Sequence, residues 1–262
     1  MSLSPSENYA RVKSISRFPK TKKFSESFPF ELDDFQIQAC HALEQGKGVL
    51  VAAPTGAGKT IVGEFAVDLV INSTGKCFYT TPIKALSNQK YSELCQKYGE
   101  DRIGLLTGDV SNNPEAQIVV MTTEVLRNMI YSNSPTISDL RYVVMDEVHY
   151  LADKFRGAVW EEILIHLSEA VQVISLSATV SNAEEFGEWL QTVRGETEVI
   201  VSENRPVPLY QHVLFGNRLL DLFGENLKLN PELTRLERDT YRQVKSNWRD
   251  KPKGPKPLSR PE

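Results

Sequence analysis

Short apolar runs of four to six residues recur along this chain, at Val49–Ala53, Cys77–Thr80, Ile103–Leu106, Ile118–Met121, Tyr142–Met145, Val171–Leu176 and Thr197–Val201. Runs this short, rich in β-branched residues, suit buried strands. Between most of them apolar positions return at helical spacing, over Ile61–Ile71, Ile83–Tyr98, Glu124–Ile130, Val159–Leu167 and Ala183–Leu190. A further helix is predicted in "FPFELDDFQIQACHALEQGKG", capped by Asp33 or Asp34 and ended by Gly46. On the helix at 159–167, Trp160 is assigned to the core and Glu161 and Glu162 to solvent. Strand and helix in alternation predict an α/β fold whose mostly parallel sheet is covered by helices on both faces. In such sheets ligands gather at the carboxyl ends of the strands. From about Gly216 the periodicity fails, and the chain finishes in "WRDKPKGPKPLSRPE", which has the composition of a linker or disordered tail.

With 262 residues, 40% of them hydrophobic, the chain can hold one sizeable core. No apolar run reaches the roughly 18 residues of a membrane span. The start, "MSLSPSENYARVKS", lacks the apolar stretch of a secretory signal. The cytoplasm is the expected location, with no membrane partner. Cys40, Cys77 and Cys95 are scattered and share no metal-ligand spacing with the four histidines, so reduced thiols and no zinc site are expected. The net charge of −4 conceals a pattern: residues 1–30 carry six Lys or Arg against two acids, and residues 228–262 carry ten against five. An acidic body therefore lies between two basic arms, which suit either nucleic acid phosphates or solvated linkers.

The strongest chemical signal is "APTGAGKT", Ala53 to Thr60, set between an apolar strand and an apolar helix. It satisfies the phosphate-loop pattern. Within Pro54, Thr55, Gly56, Ala57 and Gly58, the glycines let backbone N–H groups close around phosphates, Lys59 reaches the outer phosphates, and Thr60 offers a hydroxyl to magnesium. Nucleotide phosphates and Mg²⁺ are the ligands this loop suits. A second signal is the side-by-side pair Asp146 and Glu147, at the end of the run Tyr142–Met145. Adjacent like charges at a buried strand end need a compensating cation or a task. In phosphate-loop hydrolases an acid on a second strand meets the same magnesium. Asp146 is assigned to the metal and Glu147 to the attacking water.

Together with "SAT" at Ser177–Thr179, "DEVH" at 146–149 and the phosphate loop resemble the first half of a superfamily-two helicase of the DExH type. "TTPIKALSNQK" at 80–90, "TGD" at 107–109 and "MTTEVLRN" at 121–128 follow the family order. "DDFQ", "YLADKFRGAVWEE" and "LSATVSNAEEFGEW" are similar to the superkiller-like RNA helicases, most of all to the HelY-type members of actinobacteria. The resemblance runs from about Phe28 to Phe223. It implies that Gln36 reads adenine, with Gln38 as its rival, and that Phe30 stacks on the base. It further implies that Thr81, Pro82, Lys84, Ala85, Thr107, Gly108, Thr122 and Thr123 hold one nucleic acid strand, RNA in preference to DNA. Ser177 and Thr179 would link nucleotide state to strand grip through hydrogen bonds around Asp146 and His149.

The organisation expected from this is a basic arm over 1–27, a RecA-like ATP-binding domain over 28–215, and an interdomain connection or flexible basic tail over 216–262. The family also needs a second RecA-like domain in the same polypeptide, which brings arginines to the outer phosphate. The chain therefore reads as a monomeric piece of a longer ATP-dependent helicase, nearly inactive alone. The alternatives are a stand-alone nucleotide-dependent nucleic-acid-binding module without turnover, or a piece of a DNA-directed helicase.

Overall fold

The computed structural model describes residues 17–152, 157–179, 183–224 and 228–238. The start of the basic arm, the "DKFR" and "VSN" parts of two motifs, and the basic tail beyond 238 lie outside the described residues.

Successive side chains of a strand point to opposite faces, and here both faces are buried. In β1 (Gly48–Ala52), Val49 and Val51 join one apolar cluster and Leu50 the other. β2 (Lys76–Thr81) divides Cys77 and Tyr79 from Phe78 in the same way, and β6 (Leu140–Met145) divides Val144 from Val143 and Met145. A sheet buried on both faces must be covered twice. One layer contains α1 (Pro19–Ser25), α2 (Asp34–Glu44), α3 (Thr60–Ile71) and α4 (Lys84–Tyr98), which contribute Phe24, Leu43, Phe65 and Leu94. The other contains α5 (Thr123–Tyr131), α6 (Gly157–His166) and α7 (Ala183–Arg194), with Leu126, Trp160, Ile163 and Leu190. Trp160 is buried and Glu161 exposed, as expected, while Glu162 is half-buried.

The remaining strands of this sheet are β3 (Ile103–Leu106), β4 (Ser111–Asn112), β5 (Ile118–Thr122), β7 (Gln172–Ser177) and β8 (Thr197–Val201). Their order is β4-β3-β5-β2-β6-β7-β1-β8. Every neighbouring pair is parallel except β3 with the short β4. The fold is thus the expected RecA-like arrangement, with β4 as an antiparallel edge that its two polar residues did not announce.

α1 was not expected either, because it lies in the basic arm. Its lysines point outward while Thr21 and Phe24, three residues apart, point in. The Glu44 carboxylate accepts hydrogen bonds from the N–H groups of Lys20 and Thr21, at 2.9 and 2.8 Å. A negative charge there complements the start of the helix. Phe24 packs 5.1 Å from both Phe28 and Phe65, ring centroid to centroid.

The described residues divide into two compact units, with the boundary between Pro206 and Val207. The second has regular structure beyond Gly216, where the apolar pattern predicted none. β9 (His212–Phe215) and β10 (Arg218–Asp221) form an antiparallel hairpin, and a helix spans 231–238. The pattern fails to reveal the hairpin because Leu214 and Leu219 are mostly exposed, and only Leu220, opposite the half-buried Val213, turns inward, too little to impose a period. No helix among the described residues is long and apolar enough to cross a membrane.

If α1 is part of the core, Phe24→Ala should lower stability by about 3–5 kcal/mol, the usual range for emptying a buried aromatic site. Urea unfolding checks this, and a change below about 1 kcal/mol, typical of a surface position, would return α1 to the solvated arm.

Candidate functional site

Parallel pairing delivers the carboxyl ends of β3, β5, β2, β6, β7 and β1 to one edge in that order. The loop after β1 turns through Gly56 (φ 85°) and Gly58 (φ 82°), left-handed conformations that side chains resist. Gly58 is also closely approached, since a Cβ there would lie 2.7 Å from Gln36 Nε2. Among the described residues, the N–H groups of Gly56, Gly58, Lys59 and Thr60 have no hydrogen-bond partner, and α3 begins at Thr60. Unpaired amides at the start of a helix attract anions. The Lys59 ammonium is buried beside them and donates to Ala53 O at 2.7 Å and Pro54 O at 3.1 Å. Burial pushes its pKa down, against the pull of Glu147 and Asp146. Lysine and acid pair therefore share one electrostatic neighbourhood.

Asp146 follows β6, and its N–H donates to Thr80 O at 3.0 Å. Its Oδ2 accepts from the Tyr79 hydroxyl and its Oδ1 from the Glu147 N–H, each at 3.0 Å. Burial raises the Asp146 pKa in spite of these bonds and of the Lys90 and Lys59 charges. Glu147 has φ 57°, a conformation that costs a non-glycine residue about 1–3 kcal/mol. Its Oε2 lies 3.2 Å from His149 Nδ1. That approach lacks hydrogen-bond geometry, however, and both buried atoms are without a hydrogen-bond partner among the described residues. Burial, then repulsion from Asp146, raises the Glu147 pKa. A buried carboxylate oxygen without a partner, beside a second acid, a buried ammonium and free amides, suits a cation held against phosphates. Asp146 and Thr60 would hold magnesium, which commonly takes few protein ligands and completes its shell with water and phosphate.

Between acid pair and loop runs β7, whose Ser177 O accepts the Ala53 N–H at 3.1 Å. Ser177 Oγ donates to Thr179 O at 3.1 Å and accepts from Thr179 N at 3.3 Å. The expected hydrogen bonds from Ser177 and Thr179 to Asp146 or His149 are absent among the described residues, because these short side chains close their own turn instead. Gln36 is buried and Gln38 exposed. Gln36 Oε1 accepts from Asp33 N at 2.9 Å, and Nε2 donates to Gly58 O at 3.0 Å, so the amide braces the loop. Phe30 is 54% exposed, 5.4 Å from Phe28, and both line a cavity of about 680 Å³ with Asp34 and Ile37. Gln36 is not part of that lining.

On the other half of the edge the turns after β3, β5 and β2 carry the candidate strand contacts. Thr81, Thr107 and Thr123 are buried, and their hydroxyls bond to protein: Thr81 to Ile83 O at 3.1 Å, Thr107 to Asp109 Oδ1 at 3.1 Å, Thr123 to Thr81 O at 3.2 Å. Pro82 is buried and Thr122 half-buried, whereas Lys84, Ala85 and Gly108 are exposed. Lys84 is ion-paired with Asp109, joining two of these turns. The threonines thus shape the turns, and the outer surface falls to the backbone around Gly108 and the first turn of α4.

The family model for the DEAD/DEAH box helicases matches residues 33–186. The chain belongs to the DEAD/DEAH box helicase family. It is 59% identical over 230 residues to the probable helicase HelY of Mycobacterium tuberculosis, covering 88% of this chain and 25% of that protein. It is 44% identical over 214 residues to the chloroplastic DExH-box ATP-dependent RNA helicase DExH15 of Arabidopsis thaliana, covering 79% and 18%. Among solved structures it resembles the Mycobacterium smegmatis helicase Lhr bound to ssDNA and AMP-PNP, with TM-score 0.59, 27% identity, and coverage of 72% and 28%. The chain thus spans about a quarter of the length of the HelY relative it matches.

Two residues of this helicase-family site escaped the sequence: Tyr79, which bonds Asp146, and Lys90, buried over the Tyr79 ring. The one readable sign was a phenol hydroxyl inside a run that reads as a buried strand. A buried tyrosine generally finds a partner for its O–H.

For Glu147 the folded pKa lies above the unfolded one. The folded state then keeps a proton that the unfolded state has released, so nucleotide-free stability falls as pH rises through that window. Glu147→Gln should raise the thermal midpoint at neutral pH by a few degrees. The gain should shrink as pH falls toward the ordinary value of 4.5. Scanning calorimetry from acid to neutral pH checks this, and a gain independent of pH would remove the strained carboxylate as its cause.

Proposed function

We propose that this chain is the ATP-binding motor half of an RNA helicase, which binds Mg-ATP and one nucleic acid strand and drives unwinding once joined to a second RecA-like domain. The observation that carries the reading is the meeting of a buried ammonium, free loop amides and an adjacent acid pair at one sheet edge. The loop amides would cradle phosphate oxygens, and Lys59 would exchange the carbonyls of Ala53 and Pro54 for them. Asp146 and Thr60 would hold magnesium. When bound, magnesium supplies positive charge against the outer phosphates. Glu147, with a raised pKa and an unengaged oxygen, would take the proton of the attacking water. His149, Ser177 and Thr179 would report the state of this site to the strand-binding turns.

RNA is the favoured substrate because of the similarity to a relative named for RNA, while a structural neighbour of lower identity was solved with ssDNA. Full turnover would also require an arginine from the second domain, worth about 10³–10⁵ in rate in this reaction class. The chain alone would then be nearly inactive as an ATPase, a monomer placed in the cytoplasm.

Lys59→Ala should weaken binding of an ATP analogue by roughly 10- to 100-fold, the worth of a charge-assisted hydrogen bond. Titration calorimetry measures it, and unchanged affinity would remove Lys59 from the site. Steady-state ATP hydrolysis with single-stranded RNA should be low for the 262-residue chain and restored when a second RecA-like domain follows in the same polypeptide. Comparable turnover without that domain would end the half-motor reading, and stimulation by DNA alone would move the substrate class to DNA.

A further inference from the structure

Behind the acid pair lies a second layer of charge. Lys90, on α4, is 8% exposed, which is rare for a lysine. Its ammonium lies 5.5 Å from the centroid of the Tyr79 ring. It is bonded to the Glu93 carboxylate and lies 3.9 Å from Glu64 Oε1. The other Glu64 oxygen takes Lys97 Nζ at 2.7 Å. Glu64 belongs to α3, the helix that starts at the loop, so the row ties α3 and α4 to β2. Tyr79 is fully buried, and its hydroxyl is the only side-chain group among the described residues that bonds Asp146.

A carboxylate's terminal torsion is broad, so an unrestrained aspartate samples many orientations. Here Oδ2 takes the phenol and Oδ1 the Glu147 amide, both at 3.0 Å, which fixes the plane of the group and leaves lone pairs on each oxygen. The phenol can do this only while its ring stays in place. The ammonium over the ring, held by two carboxylates, is what a pinned ring requires.

We propose that Tyr79 and Lys90 are positioning residues for Asp146: the Tyr79 hydroxyl sets the rotation of the metal-binding carboxylate, and Lys90, anchored by Glu64 and Glu93, holds the ring that carries it. The proposal rests on the Mg-nucleotide reading of the site. Outer groups of this kind orient a ligand before the metal arrives, and so lower the cost of binding it.

The test is affinity for a non-hydrolysable ATP analogue, measured by calorimetry on the 262-residue chain from no magnesium to saturation. Tyr79→Phe keeps the ring and removes the hydrogen bond. It should raise the magnesium concentration at half-effect by roughly tenfold, the low end for an outer-shell partner. Affinity without magnesium should barely change, and the thermal midpoint should fall by no more than the loss of one buried hydrogen bond to a charged group explains. Lys90→Met should move the magnesium midpoint in the same direction by less. A midpoint that stays in place for Tyr79→Phe overturns the proposal, as does one that falls, since the hydroxyl would then be competing with the cation. A shift with Tyr79→Phe and none with Lys90→Met overturns the role given to the lysine. Loss of magnesium-free affinity and thermal stability without a midpoint shift would assign both residues to the core alone. If the unaltered chain binds the analogue with no magnesium dependence, the reading of the site fails and the proposal falls with it.

Discussion

A strand that runs parallel to its neighbour must return through a crossover, so seven of the eight sheet strands deliver their carboxyl ends to one edge. Everything chemical in this chain depends on that constraint. Residues 53–60, 146–149 and 177–179 are far apart in sequence, yet they follow β1, β6 and β7, which are adjacent. Thr107, Thr122 and Thr81 close β3, β5 and β2 on the other half of the same edge. No loop has to travel for these groups to meet. Burial on both faces then keeps the strand ends in register, because neither face can slide without opening one of the two apolar clusters.

The edge is held together against its own electrostatics. Burial moves Lys59 down and Asp146 and Glu147 up, each toward its neutral form, and the opposite charges offset only part of this. Glu147 adds a left-handed backbone and an oxygen without a hydrogen bond among the described residues. Such an arrangement lowers the stability of the nucleotide-free fold. It persists because the surrounding sheet over-determines it, as strained functional residues require. A packing of similar shape without the charges would be more stable and would lack the means to bind a charged ligand.

What was legible in the sequence follows the same physics. The strands could be read because a doubly buried sheet writes continuous apolar runs, and the phosphate loop could be read because its spacing is set by backbone geometry. α1 was hidden because only Thr21 and Phe24 of its seven residues are buried, among lysines that dominate its composition. The hairpin was hidden by exposure. Gln36 was separable from Gln38 by helix face, but not its attachment to the loop backbone, which depends on where α2 docks. The hydrogen bonds expected of Ser177 and Thr179 failed for a local reason, since short hydroxyl side chains compete for nearby backbone groups first. Tyr79 and Lys90 were invisible because their meaning comes from β6 and α3, partners that a linear pattern does not identify.

β2 occupies the middle of the edge, and its end serves both halves. Thr80 O accepts the Asp146 N–H, while Thr81 O accepts the Thr123 hydroxyl. The Thr81 hydroxyl shares a 2.7 Å hydrogen bond with Ser87 in α4 and also reaches Ile83 O. Two consecutive carbonyls thus hold the acid strand on one side and the start of α5 on the other. In an interior packed at crystal-like density, a displacement of a few tenths of an ångström is not absorbed by empty space. Any change that moves the end of β2 must therefore be felt at Asp146 and at the Thr123 turn together. The two halves of this edge are therefore joined through backbone as well as through any side chains, because one strand end is already part of both.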